Sequence, residues 1–150
     1  MTEISFYFNV PDKVAYACRL LRKAVNGNAR VVVAGDADTL GQLDVALWIF
    51  SPVDFIPHCF DDAGAGVVAA SPVVLERGGL MARGGLHSQI LVNLGAAVPE
   101  GFERFERLIE LVGIDDNDRR IARDRWKHYA HRGYTLIRHD VAAATASDSA

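Results

Sequence analysis

Arg119, Arg123 and Lys127 recur at i, i+4 and i+8, which on a helix makes one cationic stripe about two turns long. Trp126 stands between this stripe and an apolar one, formed by Ala122, Trp126, Tyr129, Ala130 and Gly133 at the spacing that faces a core. From Arg119 to Arg138 there are seven Lys/Arg and one Asp, a local +6 in a chain of formal net charge -3. Guanidinium forks bind carboxylates bidentately, and an apolar floor beside them accepts a hydrophobic side chain. The pattern therefore fits an acidic peptide that ends in a hydrophobic residue. It also describes a plain solvated helix face. A second surface is offered by LDVALWIFSPVDFIPH, where Trp48, Phe50, Phe55, Ile56 and Pro57 gather large apolar groups between prolines, the composition of an interface anchor.

Catalytic chemistry finds less support. His58, Cys59, Asp61 and Asp62 bring four metal-ligating types together, but without a C-x-x-C pair or two histidines one helical turn apart. Cys59 and His58 are adjacent, so on an extended segment their side chains diverge, and a packed thiol is expected. His87, His128, His131 and His139 are scattered with no carboxylate at a meaningful spacing. No G-x-G-x-x-G or G-x-x-x-x-G-K-[ST] is present, and the Gly35-Asp36 turn would repel phosphate. Gly78, Gly79, Gly84 and Gly85 read as a flexible connector. No cofactor or metal is expected.

The elements that must position these residues follow from periodicity. Ile4, Phe6, Phe8 and Val10 alternate as a strand up to Pro11, and Asp12 is placed to cap a helix over Lys13 to Val25 that ends at Asn26-Gly27-Asn28. Arg30 to Ala34 is an apolar, β-branched strand covered on both faces. Leu40, Leu43, Ala46 and Leu47 make the stripe of a second helix reaching about Trp48. The stretch FSPVDFIPHCFDDAGAG reads as a loop, SPVVLE and QILVNL as two short strands, and TLIRH as an extended segment. Phe102, Phe105, Leu108, Ile109 and Val112 fall at helical spacing, and Asp115 to Asp118 can cap a further helix running to Arg132-Gly133. Strands alternating with helices predict a three-layer α/β/α fold on a largely parallel sheet.

At 150 residues, half of them apolar, the chain is expected to form one domain over residues 1–140 with a loosely held tail over 141–150. No apolar run approaches the roughly 18 residues that span a bilayer. The two cysteines are too few for a disulfide framework, and a cytoplasmic setting is expected.

The SFYF strand, LDVALW followed by FIPH, the ILVNL strand and ARDRWKHYAHRGYTL together resemble, in order and spacing, the chi subunit family of bacterial DNA polymerase III. The resemblance covers about two thirds of the chain, with 61–88 outside it. It implies a nucleotide-binding-like fold without a nucleotide site, and a non-catalytic accessory subunit of the clamp-loader assembly. It also implies binding of the acidic, phenylalanine-terminated tail of single-stranded-DNA-binding protein at Val112, Arg119, Arg123, Trp126 and Lys127. Arg119 and Trp126 stand where other members carry lysine and tyrosine, a change that keeps charge and aromatic surface. Trp48, Phe55, Pro57 and His58 match the loop through which the family binds the psi subunit. Contact with DNA would be mainly indirect, and no membrane is involved. Direct binding of single-stranded nucleic acid by the basic C-terminal helix, and a nucleotide-dependent enzyme on the same fold, are the competing expectations.

Overall fold

The computed structural model describes residues 1–49, 56–77 and 87–142. The strands are β1 Glu3–Val10, β2 Val31–Ala34, β3 His58–Phe60, β4 Val73–Glu76, β5 Ile90–Asn93, β6 Arg107–Gly113 and β7 Leu136–Asp140. They form one sheet in the order β3-β4-β2-β5-β6-β1-β7, with every pair parallel. The helices are α1 Lys13–Asn26, α2 Ala37–Ile49, α3 Ala65–Ala70 and α4 Asp116–His131, with a 3-10 turn at Phe102–Arg104.

Period-two alternation within each strand divides the core in two. Val31, Val33, Val73, Leu75, Val92, Ile109 and Leu111 pack with α1 and α2 on one face. Ile4, Phe6, Val32, Val74, Leu91, Leu108 and Val112 pack with Phe102, Phe105 and the α4 residues Ala122 and Tyr129 on the other. Both faces are covered, as a parallel sheet requires and as the apolar run of β2 predicts.

Two expectations are corrected. The segment from Phe102 to Val112 is a 3-10 turn followed by β6, a central strand, and not a helix. Its apolar residues imitate helical spacing because Leu108 and Ile109 are buried on opposite faces of a doubly covered strand, a pattern that periodicity cannot separate from a buried helix. The stretch read as a loop contributes the edge strand β3 and the short α3. Both are too brief to carry a periodic signal. Phe50, Phe55, the connector glycines 78, 79, 84 and 85, and positions 143–150 of the expected tail lie outside the described residues.

Adjacent strands β6 and β1 send their connections in opposite directions over opposite faces, which makes their C-terminal ends the topological switch point where this class of sheet binds ligands. Here side chains fill that position. Gly113 N–H donates to Asp118 Oδ2 at 2.6 Å, and Lys13 Nζ lies 3.3 Å from the same carboxylate oxygen and 3.4 Å from the Leu94 carbonyl. A Cβ at Gly113 would stand 3.2 Å from Asp118 Oδ2, so glycine permits this close approach. The N-termini of α1, α2 and α4 along this edge are capped by Asp12, Asp36 and Asp115, which accept from Ala15, Thr39 and Asp118 N–H. The anion seats at the starts of α1, α2 and α4 thus already carry a carboxylate.

Candidate functional site

Helix α4 starts where Asp115 caps it and continues to His131, so its basic stripe is helical as expected. Its inward face departs from the expectation. Ala122 and Tyr129 are buried and Trp126 half-buried, but Ala130 and Gly133 are exposed, and Arg125 is buried at 2% exposure. Arg125 therefore belongs to the core and contributes nothing to the surface charge.

Its partner is Glu110 on β6, which is fully buried. Arg125 Nε and Asn93 Nδ2 donate to Glu110 Oε1 at 3.0 and 2.9 Å, and the Tyr129 hydroxyl donates to Oε2 at 2.6 Å. Arg125 Nη1 also donates to the Ala96 carbonyl at 2.9 Å. Burial raises the Glu110 pKa, against the lowering effect of Arg125 and of these hydrogen bonds. The network fastens α4 to the sheet and fixes its rotation. That rotation decides which side chains face outward along the β1 side of the helix.

There the structure opens a groove of about 620 Å³ lined by Phe6, Phe8, Asn9, Val112, Arg119, Ala122, Arg123, Trp126 and Arg138. The Trp126 and Phe6 rings meet edge to face with centroids 5.0 Å apart, which holds the indole against the apolar floor. Arg138 reaches over the Phe8 ring, its Cζ 5.0 Å from the centroid. Arg119 Nη2 donates to Asn9 Oδ1 at 2.8 Å, and Asn9 Nδ2 donates to Asp140 Oδ1 at 3.0 Å. Asn9 has a φ of 61°, and the pairing of β1 with β6 shifts register between Tyr7 and Val10. This irregularity turns the Asn9 side chain toward α4.

Of the residues singled out from the sequence for peptide binding, Val112, Arg119, Arg123 and Trp126 line this groove. Lys127 is exposed on α4 but is not among its lining residues. Phe6, Phe8, Asn9 and Arg138 were missed, because they reach the groove from β1 and β7 and no spacing along the chain links them to α4. Three guanidinium groups on an apolar floor have the chemistry to pair with carboxylates beside a hydrophobic group.

The second surface lies at the far edge of the sheet. Val45, Trp48 and Ile49 of α2 are 58%, 58% and 76% exposed, and Pro57 is exposed beside them. The His58 side chain is only 1% exposed. Its Nδ1 lies 2.7 Å from the Ile56 carbonyl and its Nε2 lies 3.0 Å from Asp44 Oδ1. The ring meets Trp48 edge to face at 5.1 Å. His58 thus buttresses Trp48 from within. Asp61 accepts from Arg77 N–H and Asp62 pairs with the Arg77 guanidinium, while Cys59 packs against the α4-side core. Among the described residues, no helix is long and apolar enough to cross a membrane.

A family model described as DNA polymerase III chi subunit, HolC, matches residues 1–137. The protein named DNA polymerase III subunit chi from Pseudomonas aeruginosa is 33% identical over 145 residues, 93% of this chain and 96% of the relative. Proteins of the same name from Escherichia coli and Haemophilus influenzae are 28% and 25% identical, covering 79% and 83% of this chain and 79% and 85% of their own lengths. By this match over most of its length, the chain belongs to the DNA polymerase III chi subunit family.

Proposed function

We propose that this chain is an accessory subunit of the replicase with no catalytic site of its own. It captures the acidic C-terminal tail of single-stranded-DNA-binding protein in the groove beside α4 and couples that protein to the clamp-loader assembly. The observation that carries this reading is the placing of Arg119, Arg123 and Arg138 around a floor of Phe6, Val112, Ala122 and Trp126. Guanidinium groups at the rim suit the carboxylates of the tail, and the aromatic floor suits its terminal phenylalanine.

The exposed group Val45, Trp48, Ile49 and Pro57 suits the second contact, to the psi subunit or an equivalent partner. Trp48 is the anchor of this contact, and His58 is the residue that orients it.

Calorimetric titration with an acidic peptide ending in Asp-Ile-Pro-Phe tests the groove. Micromolar affinity is expected, lost when the peptide lacks its phenylalanine and reduced at least about tenfold by Arg123→Ala, since one charge-assisted contact is worth roughly 1.5–3 kcal/mol. Failure of the intact protein to bind the peptide would overturn the reading. Tight, salt-dependent binding of naked oligonucleotide lost with Arg123→Ala would instead favour direct nucleic-acid binding by α4.

A further inference from the structure

On the opposite face of the sheet, aromatic rings and cations follow one another in a line. His139 of β7 is exposed and lies against Tyr7 of β1, with ring centroids 4.5 Å apart and planes inclined by 30°. Tyr7 lies 6.0 Å from Tyr16 of α1, and the Arg19 guanidinium stands 5.6 Å from the Tyr16 centroid. One turn further on, Arg19, Arg22, Lys23 and Asn26 are all exposed and together line a shallow depression of about 360 Å³.

Lys23 and Tyr7 also belong to the walls of a cleft of about 490 Å³ under the C-terminal half of α1, whose floor includes Leu20, Ile90, Val92 and Ile109. Arg107 lines this cleft. Its Nε is buried without a hydrogen-bond partner and lies 3.6 Å from Glu3 Oε1. Glu106 is the acidic group on the cleft wall. The sequence of α1 from Lys13 to Asn26 contains Lys13, Arg19, Arg22 and Lys23 and no acidic residue, within a chain of net charge -3.

A line of rings, exposed at His139 and half-buried at Tyr7 and Tyr16, that ends in exposed cations beside an apolar cleft, is the arrangement that single-stranded nucleic acid uses. Bases stack on the rings or enter the cleft, and the backbone follows the positive charge. We propose that the α1 face, from His139 through Tyr7 and Tyr16 to Arg19 and Lys23, binds a short stretch of single-stranded nucleic acid. This surface is separate from the groove beside α4 and is built from different residues, so it does not rest on the peptide reading. A chain that held DNA here and a DNA-binding protein's tail on the other face would contact both components of a coated strand.

The experiment is fluorescence anisotropy of a labelled oligo-dT strand titrated with the full chain at low salt, with tail-peptide affinity measured on the same samples. Saturable binding is expected, weakening with salt along a log–log slope of about -2, as release from roughly three phosphates would give. Arg19→Glu/Lys23→Glu, at two exposed positions, is expected to weaken oligonucleotide binding at least about tenfold and leave peptide affinity unchanged. Tyr16→Leu, which keeps an apolar side chain against the core, is expected to weaken it by about the same factor, and an abasic strand to bind correspondingly poorly. Absence of binding by the intact chain, or full binding by Arg19→Glu/Lys23→Glu, would overturn the proposal. So would equal affinity for the abasic strand, or loss of binding on Arg123→Ala instead, which would assign the nucleic acid to α4.

Discussion

Arg119 is held to the groove wall by Asn9, the two side chains meeting at 2.8 Å across 110 positions of sequence. Asn9 can make this contact because it occupies the left-handed region at φ 61°, where asparagine is tolerated far better than most residues with a Cβ. A backbone irregularity in β1 thus sets the direction of a cation on α4.

Replacement of Asn9 separates backbone from side chain. Asn9→Gly retains the left-handed conformation but releases Arg119, so stability is expected to fall by less than about 1 kcal/mol while tail-peptide affinity drops several-fold. Asn9→Val adds β-branched strain and is expected to cost a further 1 kcal/mol or so. Chemical denaturation and calorimetry on the two variants measure both quantities.

Arg138 and Lys127 stand in different relations to the groove. Arg138 lines it and covers Phe8, whereas Lys127 lies outside the lining. Arg138→Ala is expected to weaken the acidic peptide about fivefold or more, and Lys127→Ala less than about twofold, because a cation that only contributes to the general field is screened by salt. Equal losses would mean that the field, and not the fork geometry, governs binding.

Glu110 and Arg125 form a buried ion pair whose removal in part differs from removal as a whole. Glu110→Leu leaves the Arg125 guanidinium buried without its counter-charge and is expected to destabilise the fold by about 3–5 kcal/mol. Glu110→Leu/Arg125→Met is expected to recover a large share of that loss, since two apolar groups of similar volume need no desolvated charge. Urea midpoints for the two variants test this, with the tail peptide reporting whether α4 keeps its rotation.

Glu76 gives the stability a dependence on pH. Burial at the end of β4, with Asp61 and Glu100 adding to it, raises its pKa from 4.5 to about 7. The folded state therefore binds more protons than the unfolded state between these values, so the contribution of Glu76 to stability declines as pH rises from 4.5 to about 7 and is constant beyond. Glu76→Gln removes the decline. Because the group is partly exposed and solvent-screened, the variant is expected to gain about 1 kcal/mol at pH 8 relative to wild type, with little difference at pH 4.

Much of the architecture is legible in the chain. The strand and helix at the start, the Asp12 and Asp115 caps, the doubly covered β2, and the helix from Asp116 to His131 all follow from periodicity and capping chemistry, which are local. The basic stripe is local as well, since Arg119, Arg123 and Lys127 share a helix face whatever that helix packs against. The lack of phosphate-binding loops is equally a property of short stretches of sequence.

Tertiary structure decided the rest, for a common physical reason. Strand β6 is buried on both faces, so its apolar run carries no period of two, and the helical spacing of Phe102, Phe105 and Leu108 arises by coincidence. Arg125 reads as one more surface cation until β6 brings Glu110 against it, because only an opposite charge supplied from another element makes its burial tolerable. Asn9, Phe8 and Arg138 enter the groove only when β1 and β7 pair in parallel beside α4. The sequence by itself determined the opening strand and helix, the doubly covered β2, and the shared face of Arg119, Arg123 and Lys127 on α4; pairing across the sheet decided that the run after Phe105 is a strand, which of these cations point into a shared groove, and that Arg125 is held inside the core.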